Sequence, residues 1–150
     1  MEITDTKISL KKNNMAKGRK KNYTYAVGRR RESSARARLF KGRGDNLVND
    51  LPIDKYFPGE INEVTWMAPF RATDTFGKYY FTVKVVGGGK KGQLGAVTHG
   101  MARAFDKLDR EKFRLELKKA GLLTRDSRTR ERRKVGTGGK ARRKKQSPKR

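Results

Sequence analysis

Lys78-Tyr79-Tyr80-Phe81-Thr82-Val83-Lys84-Val85-Val86 runs directly into Gly87-Gly88-Gly89-Lys90-Lys91-Gly92-Gln93. In the first nine residues Tyr79, Phe81, Val83 and Val85 alternate with Tyr80, Thr82, Lys84 and Val86. A period of two is that of a strand, and two fairly apolar faces place it at the centre of a sheet. Past the glycines, Leu94, Val97, Met101, Phe105 and Leu108 form one apolar stripe at helical spacing, with Arg103 and Lys107 off it. A central strand feeding a helix through a glycine loop is therefore the first fixed point of the fold.

Gly87, Gly89 and Gly92 satisfy G-x-G-x-x-G, the spacing of a dinucleotide-binding turn. That turn also needs a second parallel strand ending in an acidic residue about 20 positions on. The region around Lys112 reads instead as a helix, and no strand pattern follows it. A triphosphate loop is excluded as well, because Gln93 stands where its lysine is required. The physics of the loop survives without a nucleotide. Glycines admit close backbone approach, helix amides face an anion, and Lys90 and Lys91 add charge, so the loop is a seat for an RNA phosphate.

Upstream, Asn22–Gly28 alternates, with Tyr23, Tyr25 and Val27 read as an aromatic inner face. Arg29-Arg30-Arg31-Glu32 is a charged connection or strand end, and Ser33–Lys41 alternates again, Ala35, Ala37 and Leu39 opposing Ser34, Arg36 and Arg38. With only Glu32 and Asp45 nearby, that arginine face reads as a phosphate-contacting surface. Gly42-Arg43-Gly44-Asp45-Asn46 is turn chemistry. Leu47-Val48 starts a short strand, and Pro52 to Phe57 forms a helical turn. In Glu60–Met67, Ile61, Val64 and Met67 fall at helical spacing, with Pro69 as the expected stop and Phe70–Gly77 as a loop; Trp66 is read as core or domain surface rather than a base-stacking platform. Downstream, Asp109 caps a helix from about Arg110 to Ala120 with Phe113 and Leu117 inward, and Gly121 ends it.

Charge divides the chain more sharply than hydropathy. The net charge is +25, with 14 basic and 4 acidic residues in 1–49, 13 and 9 in 50–120, and 13 and 2 in 121–150. The reading is a basic extension over 1–21, a globular domain over 22–123 and an extended tail over 124–150. Met15 is a candidate second start, which would make Met1–Asn14 a dispensable extension. From Thr124 onward Val135 is the sole aliphatic beyond alanine and no aromatic occurs. Such a segment cannot offset its ordering entropy by burial, so it is expected to be disordered until a polyanion surrounds it. Its 27 residues span about 90 Å when extended.

Other chemistries find no support. There is no cysteine, hence no disulfide or thiolate, and no apolar run approaches the ~18 residues of a membrane span. A signal-peptide core is missing, and the chain is expected in the cytoplasm. His99 is the only histidine and is assigned a structural role, while Ser33, Ser34 and Ser127 have no base at a recognisable spacing. Asp106, Asp109, Glu111 and Glu116 read as helix-surface partners of Arg103, Arg110, Lys112 and Lys119. The expectation is no enzyme, no cofactor, no metal and no small-molecule substrate.

Three ordered stretches carry a resemblance. Gly87-Gly88-Gly89-Lys90-Lys91-Gly92-Gln93, continuing through His99-Gly100-Met101-Ala102-Arg103-Ala104, closely resembles the signature of the family of small-subunit ribosomal protein number nine. Tyr25-Ala26-Val27-Gly28 with Arg29 to Arg38 is similar to its opening strands, and Ala120-Gly121-Leu122-Leu123-Thr124-Arg125-Asp126-Ser127-Arg128 with Glu131 to Lys134 to the start of its tail. The resemblance implies an α+β fold of the ribosomal protein five domain-two type, a single mixed sheet with helices packed on one face. It also implies binding to 16S rRNA in the head of the small subunit, beside neighbouring head proteins, and a tail that reaches P-site tRNA.

The residues assigned to rRNA are Arg29, Arg30, Arg31, Arg36, Arg38 and Arg43; the loop residues Gly87, Gly88, Gly89, Lys90, Lys91 and Gln93; and, in the tail, Arg125, Arg128, Arg130, Arg132, Arg133, Lys134, Lys140, Arg142, Arg143, Lys144 and Lys145. Lys149 and Arg150 are assigned to the tRNA by the same resemblance. Phosphate neutralisation and RNA shape, rather than base readout, are the expected basis of recognition.

Overall fold

A computed structural model describes residues 22–132 of the chain. The extension 1–21, the assigned cations from Arg133 to Arg150 and the tail beyond residue 132, with the disorder expected there, lie outside the described residues. Among the described residues five strands form one mixed sheet, joined by four helices: β1 (Tyr23–Arg30), β2 (Ser33–Lys41), β3 (Leu47–Val48), β4 (Leu51–Pro52), α1 (Ile53–Tyr56), α2 (Glu60–Thr73), β5 (Tyr79–Val86), α3 (Lys90–Leu108) and α4 (Arg110–Lys119). The spatial order is β1-β2-β5-β3-β4, with β3 and β5 parallel and the other pairs antiparallel. The fold class is α+β, as expected, and β5 is central.

Helix α3 lies across β1 and β2, and β1 differs from expectation in which face it presents to that helix. Ala26 and Gly28 point inward, while Tyr25 and Arg29 are exposed. The register pairs Ala26 with Ala37 and Gly28 with Ala35, so the two strands offer α3 a floor of very small residues. A Cβ at Gly28 would overlap the Ala96 carbonyl oxygen and the Gly100 backbone, and a Cβ at Gly100 would stand 3.1 Å from Gly28 N. The helix approaches too closely for an aromatic inner face. Strand β2 behaves as read, with Ser33, Ala35, Ala37 and Leu39 buried and Arg36 and Arg38 exposed.

Helix α2 corrects two expectations. It runs through Pro69 to Thr73, and Ile61 and Val64 face outward, Ile61 with 83% of its surface exposed. The buried stripe is Trp66, Pro69 and Phe70. Proline lacks the N–H that would bond the carbonyl four residues back. That carbonyl, of Thr65, has only a long contact of 3.4 Å to Thr98 Oγ1 of α3, whose hydroxyl makes its shorter bond, 3.0 Å, to the Leu94 carbonyl, so the helix is carried through Pro69 by the burial of Trp66, Pro69 and Phe70. Tertiary packing here overrides the local stop signal, and the first four residues expected in a loop are helical.

The core gathers Trp66, Phe70, Phe81, Phe105 and Phe113, with Phe70 and Phe113 meeting Phe105 edge-on at 5.3 and 5.7 Å. Strand β3 is only two residues long, and Asn49 extends its pairing by side chain: Val85 N donates to Asn49 Oδ1 at 2.8 Å, and Asn49 Nδ2 donates to the Val85 carbonyl at 3.0 Å. On the outer edge of β1, Arg103 donates to the Val27 carbonyl and Lys107 to the Tyr25 carbonyl, closing an otherwise open strand edge. Asp109 caps α4 by accepting from Lys112 N, and Gly121 follows that helix with φ of 69°. Replacing Gly28 with Ala is expected to destabilise the domain by about 1–3 kcal/mol through overpacking. Replacing the exposed Leu115 with Ala should change stability by no more than about 0.5 kcal/mol. Chemical denaturation checks both, and equal effects would contradict the close-approach account.

Candidate nucleic-acid interface

The turn from β1 into β2 and the loop from β5 into α3 meet at one end of the sheet. There an open recess of about 600 Å³ is lined by Arg31, Glu32, Ser33, Gly88 to Gly92, Thr129 and Arg130. Gly87 and Gly88 take φ of 77° and 62°, and a side chain at either would run into Glu32 or Ser33. Ser33 Oγ donates to the Gly87 carbonyl at 3.0 Å, and Gln93 Nε2 donates to the same oxygen at 3.1 Å. These bonds hold the loop against the hairpin. Helix α3 begins at Lys90 with no side-chain cap and no acidic residue in its first turn, so its free amides and partial positive charge face the recess.

Lys91 is exposed beside Arg31. Lys90 Nζ sits 3.3 Å from the centre of the Tyr56 ring, a cation–π contact that fixes the ammonium near the helix start. Gln93 is engaged within the protein at both polar ends, its Oε1 accepting from the Tyr56 hydroxyl at 2.9 Å. Among the assigned loop residues, then, Lys91 and the glycine backbone face outward most freely, and Gln93 braces them.

The assigned arginines of the strands divide between two surfaces. Arg31 belongs to the recess, whereas Arg36 and Arg38 stand on the open face of the sheet with Arg29. The register places Arg36 directly beside Lys84 of β5 and Arg38 beside Thr82, adding a lysine that sequence reading did not assign. Arg38 also lies 5.5 Å from the centre of the Tyr23 ring. Arg43 sits past the far end of β2, whose length puts it about 30 Å from the recess. One face carries cations without helix cover, and one end carries the loop.

Beyond α4 the chain returns to this end. Leu122 N donates to the Leu117 carbonyl at 3.0 Å, and Leu122 and Leu123 pack against the core. Asp126 then gathers two arginines: Arg30 at 2.9 Å, and Arg128 through Nη2 at 2.8 Å, Nε at 3.0 Å and its backbone N–H at 3.0 Å. The Arg128 bonds, with the charge of Arg30, hold the Asp126 carboxyl far below the usual carboxylate range. Arg30 is thus tied to the tail root as well as to β1. Arg125, Arg128, Arg130 and Arg132 are all exposed. Asp126 was not assigned from sequence. Its only signal there is that of a lone carboxylate two residues before an arginine in a cationic run.

His99, half-buried on α3, joins the two ends of this arrangement. Its Nδ1 accepts from the Arg29 backbone N–H at 3.3 Å, and the ring lies beside the Leu123 backbone. Burial, then the nearby Arg103 charge, lowers its pKa below the ordinary 6.5, with Arg125 acting in the same sense. The folded imidazole is therefore the neutral form. Because the unfolded chain takes up the proton first, the stability it supplies is complete above pH 6.5 and is lost as pH falls from there through the lower folded value. Denaturant titrations on the acid side of 6.5 should show a steeper loss for the wild type than for His99→Gln. Parallel pH profiles would contradict this assignment.

Among the described residues no cluster of His, Cys, Asp or Glu is arranged to hold a metal, and no helix is long and apolar enough to cross a membrane. The cationic surfaces are suited to neutralising and positioning phosphates. Residues 28–150 match the family described as Ribosomal protein S9/S16. The chain is also similar to the small ribosomal subunit protein uS9 of Maridesulfovibrio salexigens, 45% identical over 119 residues covering 79% of this chain and 91% of that one. To the protein of the same name in two strains of Dehalococcoides mccartyi it is 44% identical over 117 residues, covering 78% of this chain and 88% of each relative. With its match extending from β1 to the last residue, the chain belongs to the ribosomal protein S9/S16 family, whose members are structural and not enzymatic.

Proposed function

We propose that this chain is a structural constituent of the small ribosomal subunit with a role in translation, that it binds 16S rRNA in the subunit head, and that its tail reaches the P-site tRNA. The observation that carries the reading is the recess where Arg31, Lys90 and Lys91 surround the uncapped start of α3, in a chain of net charge +25. Family membership supplies the setting. The division of labour is an extension over 1–21, a domain over 22–123 of the ribosomal protein five domain-two type, and a tail over 124–150 whose root is held on the domain at Asp126 and whose farther part takes its path from RNA. The seat positions one backbone segment, and the open face with Arg29, Arg36 and Arg38 meets another. Lys149 and Arg150 approach tRNA phosphates as charges and so act irrespective of tRNA sequence. The work is done in the cytoplasm, within the ribosome and beside other head proteins.

Binding to 16S rRNA should weaken with salt, and replacing Arg31 and Lys91 with Ala should reduce the slope of log affinity against log salt by about two. Filter binding checks this, and an unchanged slope would remove the recess from the interface. Deleting Lys149 and Arg150 should lower retention of P-site tRNA while leaving subunit assembly intact. Normal tRNA retention would reject the role of the tip.

A further inference from the structure

A carboxylate within a cationic RNA-binding segment lowers its attraction for phosphate, and Asp126 stands in such a segment. The structure shows what it does there. Asp126 joins the end of β1 to the chain beyond α4 through Arg30 and grips Arg128 by three bonds. Arg30 offers a firm platform, since its aliphatic stem lies over Gly95 of α3, where any Cβ would overlap it. Four residues before that clasp, Leu122 packs on the core and bonds to Leu117. His99 accepts from the Arg29 N–H on β1 and lies beside the Leu123 backbone of the outgoing chain. Four residues past Asp126, Arg130 lines the same recess as Arg31, Lys90 and Lys91.

We propose that Asp126 and His99 are positioning residues that lay the segment 122–130 across the glycine-loop end of the domain, so that Arg130 completes a single phosphate seat with Arg31, Lys90 and Lys91. The proposal rests on the RNA-binding reading for its consequence, though not for its geometry. Without the clasp, the chain beyond Leu123 would sample many courses, and RNA would have to order it at the moment of binding. With it, Arg130 is held at the recess before RNA arrives. Arg128 is also aligned by the clasp, its side chain 82% exposed and its guanidinium oriented by the carboxylate.

Asp126→Asn in the full chain separates positioning from charge. The substitution makes the protein more positive, so charge alone would tighten RNA binding. Positioning instead predicts 16S rRNA binding about tenfold weaker, as expected when a prearranged contact must be ordered during association. In the RNA-free chain, heteronuclear NOE values should fall for residues 122–130 and stay unchanged from β1 through α4. Asp126→Glu should recover both readouts, and His99→Ala should loosen the chain at Leu123. The proposal is overturned if residues 122–130 remain as ordered in the Asn variant as in the wild type, or if that variant binds RNA equally or more tightly. Failure of the functional reading looks different: the wild-type chain would show no preference for 16S rRNA over an unrelated RNA of equal length, with the NOE pattern intact.

Discussion

The near contact of two glycines, Gly28 on β1 and Gly100 on α3, is the constraint from which the remaining architecture follows. It brings the helix backbone down onto a floor of Ala26, Ala35 and Ala37, and so fixes the height of α3 above the sheet. At that height Arg103 and Lys107 reach the outer edge of β1, and His99 reaches Arg29. The same packing sets where α3 begins. Its first turn meets the β1–β2 hairpin at Ser33, where Gly88 and Gly92 leave no room for a side chain and Gly87 abuts the Glu32 carbonyl. A helix lifted by one side chain would lose the edge contacts and reshape the recess together.

Much of this was legible in the sequence. The alternation of Ser33–Lys41 gave β2 its bounds and both its faces, and the Tyr79–Val86 pattern gave the central strand. Asp109 and Gly121 marked the two ends of α4. Strand β1 was misread because its alternation is sound on either face. Hydrophobic size favours Tyr23, Tyr25 and Val27 as core, whereas the helix above demands the smallest residues. Pro69 was misread because a stop signal is local, whereas the core packing of Trp66 and Phe70 that carries the helix through it comes from the rest of the fold. Lys84 beside Arg36 and Asp126 beside Arg30 depend on register and on chain return, which no single stretch of sequence states.

Function follows from how charge is distributed over this frame. The middle of the chain carries 13 basic against 9 acidic residues, the first forty-nine 14 against 4 and the terminal thirty 13 against 2. Strand β2 serves both needs, burying Ala35, Ala37 and Leu39 while exposing Arg36 and Arg38. Among the described residues the exposed cations sit at the glycine-loop end and on the open sheet face. Lone carboxylates among them, Glu32 at the recess and Asp126 at the tail root, shape the positive surface locally without cancelling it. Phosphate contacts position a protein without reading sequence, and such a surface is suited to them.

Sucrose-gradient fractionation of a lysate, with the chain followed through a moderate-salt wash, tests the account most directly. The protein is expected to sediment with the small ribosomal subunit and to stay there through the wash. Recovery only in the unbound fractions at the top of the gradient would contradict it.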